Sequence, residues 1–262
     1  MAKRRLIPKL QMKTTSSGTR ERMALVTTIG FEKVIEVGEP ISQAKIYQAQ
    51  AADELVFLDL DAYNHNKGIL VDVIRSAAEQ IFIPFTVGGG VKSIDDFRLL
   101  LSNGADKVSI NTVAVENPSL VTLASKMYGA QCVVVSIDYR KNLDGTNSVW
   151  IRGGKEKTNL DPVEWAIECE RLGAGEILIT SIDRDGSRKG LDIETTAKIT
   201  SALSIPVITS GGCGLSSHFI EGFKDGNADA VSAGTFFCFQ DQNPMQTRAH
   251  IKNAGIPIRI HT

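Results

Sequence analysis

The chain repeats itself at a distance close to half its length. Residues 83–112 run Ile-Pro-Phe-Thr-Val-Gly-Gly-Gly, a helix-length segment, then Ala-Asp-Lys-Val-Ser-Ile-Asn-Thr. Residues 205–235 run Ile-Pro-Val-Ile-Thr-Ser-Gly-Gly-Cys-Gly, a similar segment, then Ala-Asp-Ala-Val-Ser-Ala-Gly-Thr. Gly89 and Gly90 stand 122 positions before Gly211 and Gly212, and the same offset carries Glu54 to Asp61 onto Glu176 to Asp183 and Gly68 onto Gly190. So long a period describes two related halves rather than a solenoid. Glycines at a strand end let backbone N–H groups approach an anion, and a following helix adds its positive end. Glycine-ended strands also make ordinary tight turns. The second copy is what favours a phosphate cradle in each half.

Eight apolar segments read as strands: Arg4 to Met12, Glu54 to Leu60, Phe82 to Val87, Lys107 to Ile110, Cys132 to Ile137, Glu176 to Ser181, Val207 to Thr209 and Ala230 to Ala233. Helically spaced stretches lie between them, such as Ile94-x-x-Phe97-x-x-x-Leu101 and Val163-x-x-Ala166-Ile167-x-x-x-Arg171-Leu172. Eight alternations in 262 residues match a single α/β domain, a (β/α)₈ TIM barrel over 1–262 made of half-barrels at about 1–125 and 126–262. An open doubly wound sheet is the alternative, but it does not readily give two equivalent phosphate ends.

Charge adds no global bias. Lys+Arg 29 against Asp+Glu 30 leaves -1, so nothing points to nucleic acid or a membrane surface. No run approaches the roughly 18 apolar residues of a membrane span, no signal peptide is read at the start, and the expected location is the cytoplasm. Cys132, Cys169, Cys213 and Cys238 are scattered without Cys-x-x-Cys or a histidine cluster, which favours buried free thiols; neither a metal nor a cofactor is called for.

In a barrel the C-terminal strand ends line the active site. Asp138, at the end of Val-Val-Val-Ser-Ile-Asp, is placed as a general acid or base, the plainer alternative being a cap on the following turn. Its half-barrel counterpart is Gln11, which transfers no proton at neutral pH. Lys13 to Pro40, with its Thr-Thr-Ser-Ser-Gly run, reads as a mobile lid or as a plain solvated loop.

Residues 105–112, Val-Glu-Asn-Pro-Ser-Leu at 115–120, Gly-Ala-Gly-Glu-Ile-Leu-Ile-Thr-Ser-Ile-Asp-Arg-Asp-Gly at 173–186 and Ser-Gly-Gly at 210–212 closely resemble the cyclase subunit of imidazole glycerol phosphate synthase. The resemblance covers nearly the whole chain. It implies a barrel that docks a glutaminase subunit, receives ammonia along its axis, and cyclises a bisphosphate ribonucleotide (PRFAR) to imidazole glycerol phosphate and an aminoimidazole carboxamide ribotide (AICAR). Carried over by position, one phosphate would meet Gly90, Asn111 and Thr112. The other would meet Asp185, Gly186, Gly211, Gly212, Gly234 and Thr235, with Asp59, Thr180 and Ser210 lining the mouth between. The family's charged gate for ammonia falls on Arg5, Glu54, Lys107 and Glu176, a layer tolerable inside a barrel only if mutually paired; a structural plug is the alternative.

Two departures from the family stand out. Gln11 replaces its aspartate, so Asp138 lacks its acid/base partner and Gln11 itself is a changed catalytic position. Lys9 replaces its cysteine; strand alternation turns residues 5, 7, 9 and 11 to one face, so Lys9 enters the lumen, with Asp138 a candidate partner. The family's lid lysine, near Phe31, corresponds to Thr27. Two functions are therefore expected in competition: an ammonia-accepting cyclase, and a conduit that docks a glutaminase and feeds a separate amidotransferase, as in the branch linked to amidinated sugars of bacterial surface polysaccharides. A sugar isomerase of a related histidine-pathway barrel would leave the charged ring unexplained.

Overall fold

The computed structural model describes residues 3–17, 20–62, 68–239 and 243–259. In chain order the first half holds β1 (Arg5–Ser17), β2 (Arg20–Ile29), β3 (Lys33–Gly38), α1 (Pro40–Ala49), β4 (Leu55–Asp59), α2 (Gly68–Gln80), β5 (Phe85–Gly88), α3 (Ile94–Ser102), β6 (Lys107–Ile110), α4 (Thr112–Glu116) and α5 (Ser119–Tyr128). The second holds β7 (Val133–Lys141), β8 (Asn147–Ile151), β9 (Glu156–Lys157), α6 (Pro162–Leu172), β10 (Glu176–Ser181), α7 (Ile193–Ala202), β11 (Val207–Ser210), α8 (Ser216–Lys224), β12 (Ala230–Ala233), α9 (Thr235–Phe239) and α10 (Pro244–Asn253). β1, β4, β5, β6, β7, β10, β11 and β12 pair in that order through parallel ladders, and β12 returns to β1. This is a closed (β/α)₈ barrel, and its strands are the eight apolar segments of the sequence.

Those segments are short and nearly all apolar because a barrel strand is covered on both faces. One face meets the helices: Leu6, Leu10 and Met12 of β1 belong to the large cluster between barrel and helix shell. The other face fills the lumen, where Ile7, Val56, Val134, Leu178, Ile208 and Ala230 form a second buried cluster. Helix boundaries follow local chemistry. Ser93 and Asp96 exchange side-chain and backbone hydrogen bonds at the start of α3, and Asp161 caps α6 ahead of Pro162. Gly173, in the left-handed conformation, stops α6. Within α6 the buried stripe is Pro162, Trp165, Ala166 and Cys169, while Ile167 of the expected apolar face is exposed.

The sheet register gives the repeat a physical form. Gln11 pairs with Leu58 and Leu58 with Gly88; 127 and 122 residues later, Asp138 pairs with Thr180 and Thr180 with Ser210.

Two expectations about loops are corrected. The segment after the first strand is a three-stranded antiparallel ribbon in which β1 pairs with β2 and β2 with β3, not a loose lid; Gly18 lies outside the described residues. Polar alternation on a ribbon exposed on one side reads as a loop when neighbours are unknown. Asp138 does not end its strand or cap a turn. β7 runs on to Lys141 and turns back as β8, with Asp138 opposite Trp150. Among the four free thiols, Cys169 and Cys213 are buried, whereas Cys132 and Cys238 are only partly so. No helix among the described residues is long and apolar enough to cross a membrane.

Candidate active site

Four charges close a ring at the N-terminal end of the barrel. Arg5 bonds Glu54 at 3.0 Å and Glu176 at 2.5 Å, and Lys107 bonds the second oxygens of both carboxylates at 2.9 Å. Arg5, Lys107 and Glu176 are the first residues of β1, β6 and β10, and Glu54 immediately precedes β4. Burial alone would lower the Arg5 pKa, but the two carboxylates more than offset it and raise it. Lys107 is raised on the same balance; for Glu54, burial pushes up and Arg5 and Lys107 bring the carboxyl below its ordinary range. Directly above the ring lies the apolar lumen cluster, so anything moving along the axis passes from fixed charges into hydrocarbon.

At the other end a cleft of about 1040 Å³ opens, lined by residues that include Asp59, Gly90, Asn111, Thr112, Asp138 and Thr180. A smaller recess beside it is lined by Asp185, Gly186, Ser210, Gly211, Gly212, Gly234 and Thr235. The two expected groups of anion contacts are thus separate and each is assembled. Their glycines are there for space. A Cβ on Gly90 would lie 2.5 Å from that of Ala62, and one on Gly211 would lie 2.6 Å from the Ser181 carbonyl oxygen. A Cβ on Gly212 would collide with the Gly190 carbonyl, whose own N–H donates to Gly212 O at 2.9 Å. Gly212 also holds φ +109°. Gly212→Ala is expected to lower stability by about 1–3 kcal/mol. Gly145→Ala, at φ +87° with nothing within 4 Å, isolates the backbone strain. Thermal midpoints of both variants check this.

Asp138 is buried in the cleft and accepts a hydrogen bond of 2.7 Å from Asn111 Nδ2. Burial pushes its pKa up to about 7; Lys9 opposes, Asp185 reinforces, and the Asn111 and Thr180 hydrogen bonds oppose. A carboxyl that gains and loses its proton near neutrality is suited to general acid/base work. The Lys9 side chain does enter the lumen, 5% exposed, but its amine donates to Ser210 Oγ at 3.0 Å and forms no ion pair with Asp138. Alternation fixes the face of a strand; it does not fix which neighbour a long flexible side chain reaches.

Gln11 is bound from the ribbon. Its Nε2 donates to Thr28 Oγ1 at 3.0 Å, and Thr28 donates to Asp185 Oδ2 at 2.5 Å. Gly30 N–H adds a bond to the Asp185 carbonyl at 3.0 Å, tying the turn between β2 and β3 across the second recess. Asn111 and Thr112 are also engaged, Thr112 Oγ1 accepting from Arg152 N at 2.9 Å. The sequence reading missed Thr28 together with Arg140, Arg152, Gly153, Gly154 and Lys155, which line the cleft from the ribbon and from β7 and the chain beyond β8. The signal was Asp144-Gly145 between alternating runs, followed by Gly153-Gly154-Lys155.

The family described as histidine biosynthesis protein matches residues 17–243. The chain belongs to that family. A relative from Prochlorococcus marinus (strain MIT 9313), provisionally called imidazole glycerol phosphate synthase subunit hisF2, is 48% identical over 260 residues, covering 99% of both chains. The imidazole glycerol phosphate synthase subunits HisF of Clostridium botulinum are similar at 46% (strain Langeland / NCTC 10281 / Type F) and 45% (strain Okra / Type B1) over 238 residues, 90% of this chain and 94% of theirs. Within the histidine biosynthesis family, then, the chain is a cyclase-type enzyme subunit of the HisF kind.

Proposed function

We propose that this protein is the ammonia-receiving subunit of an imidazole-glycerol-phosphate-synthase-type glutamine amidotransferase, holding a phosphorylated ligand across the barrel mouth. The observation that carries the reading is the charge ring at one end of an apolar lumen with two glycine cradles and Asp138 at the other. A glutaminase subunit docked over the N-terminal face would release ammonia at the ring. The apolar layer above admits the neutral molecule and penalises ammonium, since an unpaired charge in such surroundings is strongly disfavoured. Two cradles in matching registers suit a ligand with two phosphates, the parent reaction being cyclisation of PRFAR to imidazole glycerol phosphate and AICAR. Ser232, which lines the second recess, has a buried hydroxyl with no hydrogen-bond partner among the described residues, a donor that an anion's oxygen could use.

Gln11 favours a second reading. Its amide is already bonded to Thr28 and exchanges no proton, so ammonia would be handed to a separate sugar amidotransferase in surface-polysaccharide synthesis. The two readings separate with purified protein, PRFAR and excess ammonium salt at alkaline pH. Turnover above background supports the cyclase. No turnover, together with stimulation of a partner glutaminase, supports the conduit, and absence of both effects rejects the two readings together.

A further inference from the structure

The register of the barrel identifies the surroundings of Lys9. Going round the wall, Ser210 pairs with Ser232 and Ser232 with Ile7, yet Lys9, two residues beyond Ile7, is the residue that bonds Ser210. A step of two residues for every second strand is what strand tilt in a barrel produces. Applied round the whole wall, the same step puts Lys9 in one layer with Gly88, Ser136 and Ser210. Three small residues thus leave room for one long side chain. The layer below carries Ile7, Val134 and Ile208; the layer above carries Gln11 and Asp138. Ser136 is the half-barrel counterpart of Lys9, so only one half has an amine here.

Lys9 lines both the main cleft and the second recess. A molecule leaving the apolar layer meets this amine and the hydroxyls of Ser136 and Ser210 before it reaches Asp138. We propose that Lys9 is a catalytic residue, the proton donor that works opposite Asp138 in the role that Gln11 cannot fill. This rests on the reading of the mouth as the point where ammonia meets a carbonyl carbon of a phosphorylated ligand. Ammonia nitrogen bonds to that carbon, the carbonyl π pair moves to oxygen, and the oxygen takes a proton from the Lys9 ammonium. The nitrogen of the adduct gives a proton to the Asp138 carboxylate. In dehydration Asp138 returns its proton to the leaving hydroxyl, which departs as water, and the iminium nitrogen gives its proton to the Lys9 amine. The sum is carbonyl plus ammonia to imine plus water, with both side chains restored.

Asp138 from β7 and Cys213 beyond β11 interact electrostatically with Lys9, and Asp185 beyond β10 and Asp59 from β4 share the two openings that it lines, with Gln11 uncharged on its own strand. The test uses the whole chain with PRFAR at fixed free ammonia, reading kcat, KM and their pH profiles, with ligand binding measured by calorimetry. Lys9→Met is expected to lower kcat on the order of 10²–10⁴-fold with ligand binding retained. Adding Gln11→Asp to Lys9→Met should restore turnover, whereas the same change in the wild-type background should add little. Should Lys9→Met not fold, Ser210→Ala keeps the amine, removes its partner and is expected to lower kcat. An unchanged kcat, a rise in KM alone, or no restoration in the double variant overturns the role of Lys9. Wild type that binds ligand without turning it over overturns instead the reading beneath it, and the role of Lys9 with it.

Discussion

Arg5→Leu is expected to lower the free energy of unfolding by about 3–5 kcal/mol at pH 8, because it leaves the buried carboxylates of Glu54 and Glu176 sharing the single charge of Lys107. The loss should be smaller at pH 5. One of the two carboxyls would then have a folded pKa above its unfolded value, and stability from such a group is complete below the unfolded pKa and lost as pH rises through the folded one. In the intact ring the sign is opposite for Glu54, whose lowered pKa gives stability above its unfolded value that disappears on acidification. Raising salt to 1 M should change little, since the pairs are buried rather than exposed to counterions. Replacing all four charges together by apolar residues of similar volume should be far less damaging than removing Arg5 alone. Chemical denaturation of the wild type and the two variants at both pH values checks each point. Equal losses at pH 5 and 8 would mean that the ring is not the coupled unit its geometry implies.

Asp138→Asn separates stability from chemistry. Burial raises this carboxyl from 3.8 to about 7, so its stabilising contribution is present below about pH 4 and disappears as pH rises through 7. At pH 9 the wild type therefore holds an ionised carboxylate where folding disfavours it, by roughly 4 kcal/mol at 1.36 kcal/mol per pKa unit. The asparagine variant should be more stable than wild type at pH 9, by up to that amount, and close to it at pH 4. Turnover should fall on the order of 10²–10⁴-fold at every pH. A variant no more stable at pH 9 than at pH 4, relative to wild type, would place the proton elsewhere.

The barrel was legible because its strands are buried on both faces, which forces short apolar runs such as Val133 to Ile137, and because Gly89 and Gly211 press against the chain opposite where no side chain fits. The charge ring was legible from the resemblance, and alternation correctly sent Lys9 inward. The ribbon was not legible: Thr14, Thr15 and Ser16 look like loop until β2 is known to lie beside them. The end of β7 was not legible beyond Asp138 because Arg140-Lys141 is the polar end of a hairpin whose partner strand begins at Asn147. The choice of Ser210 over Asp138 by the Lys9 amine depends on barrel stagger, a property of closure that no local window contains.

The half-barrel symmetry has a consequence for polarity of recognition. On the proposed reading, a ligand carrying a phosphate at each tip would find similar glycine-edged openings at both sides of the mouth, so seating energy by itself would leave head and tail nearly interchangeable. Direction must come from what the two halves do not share: Gln11 opposed to Asp138, Lys9 opposed to Ser136, and a β-ribbon that lines the main cleft through Thr28, Phe31, Glu32 and Val34 while Thr28 also bonds Asp185 at the second recess.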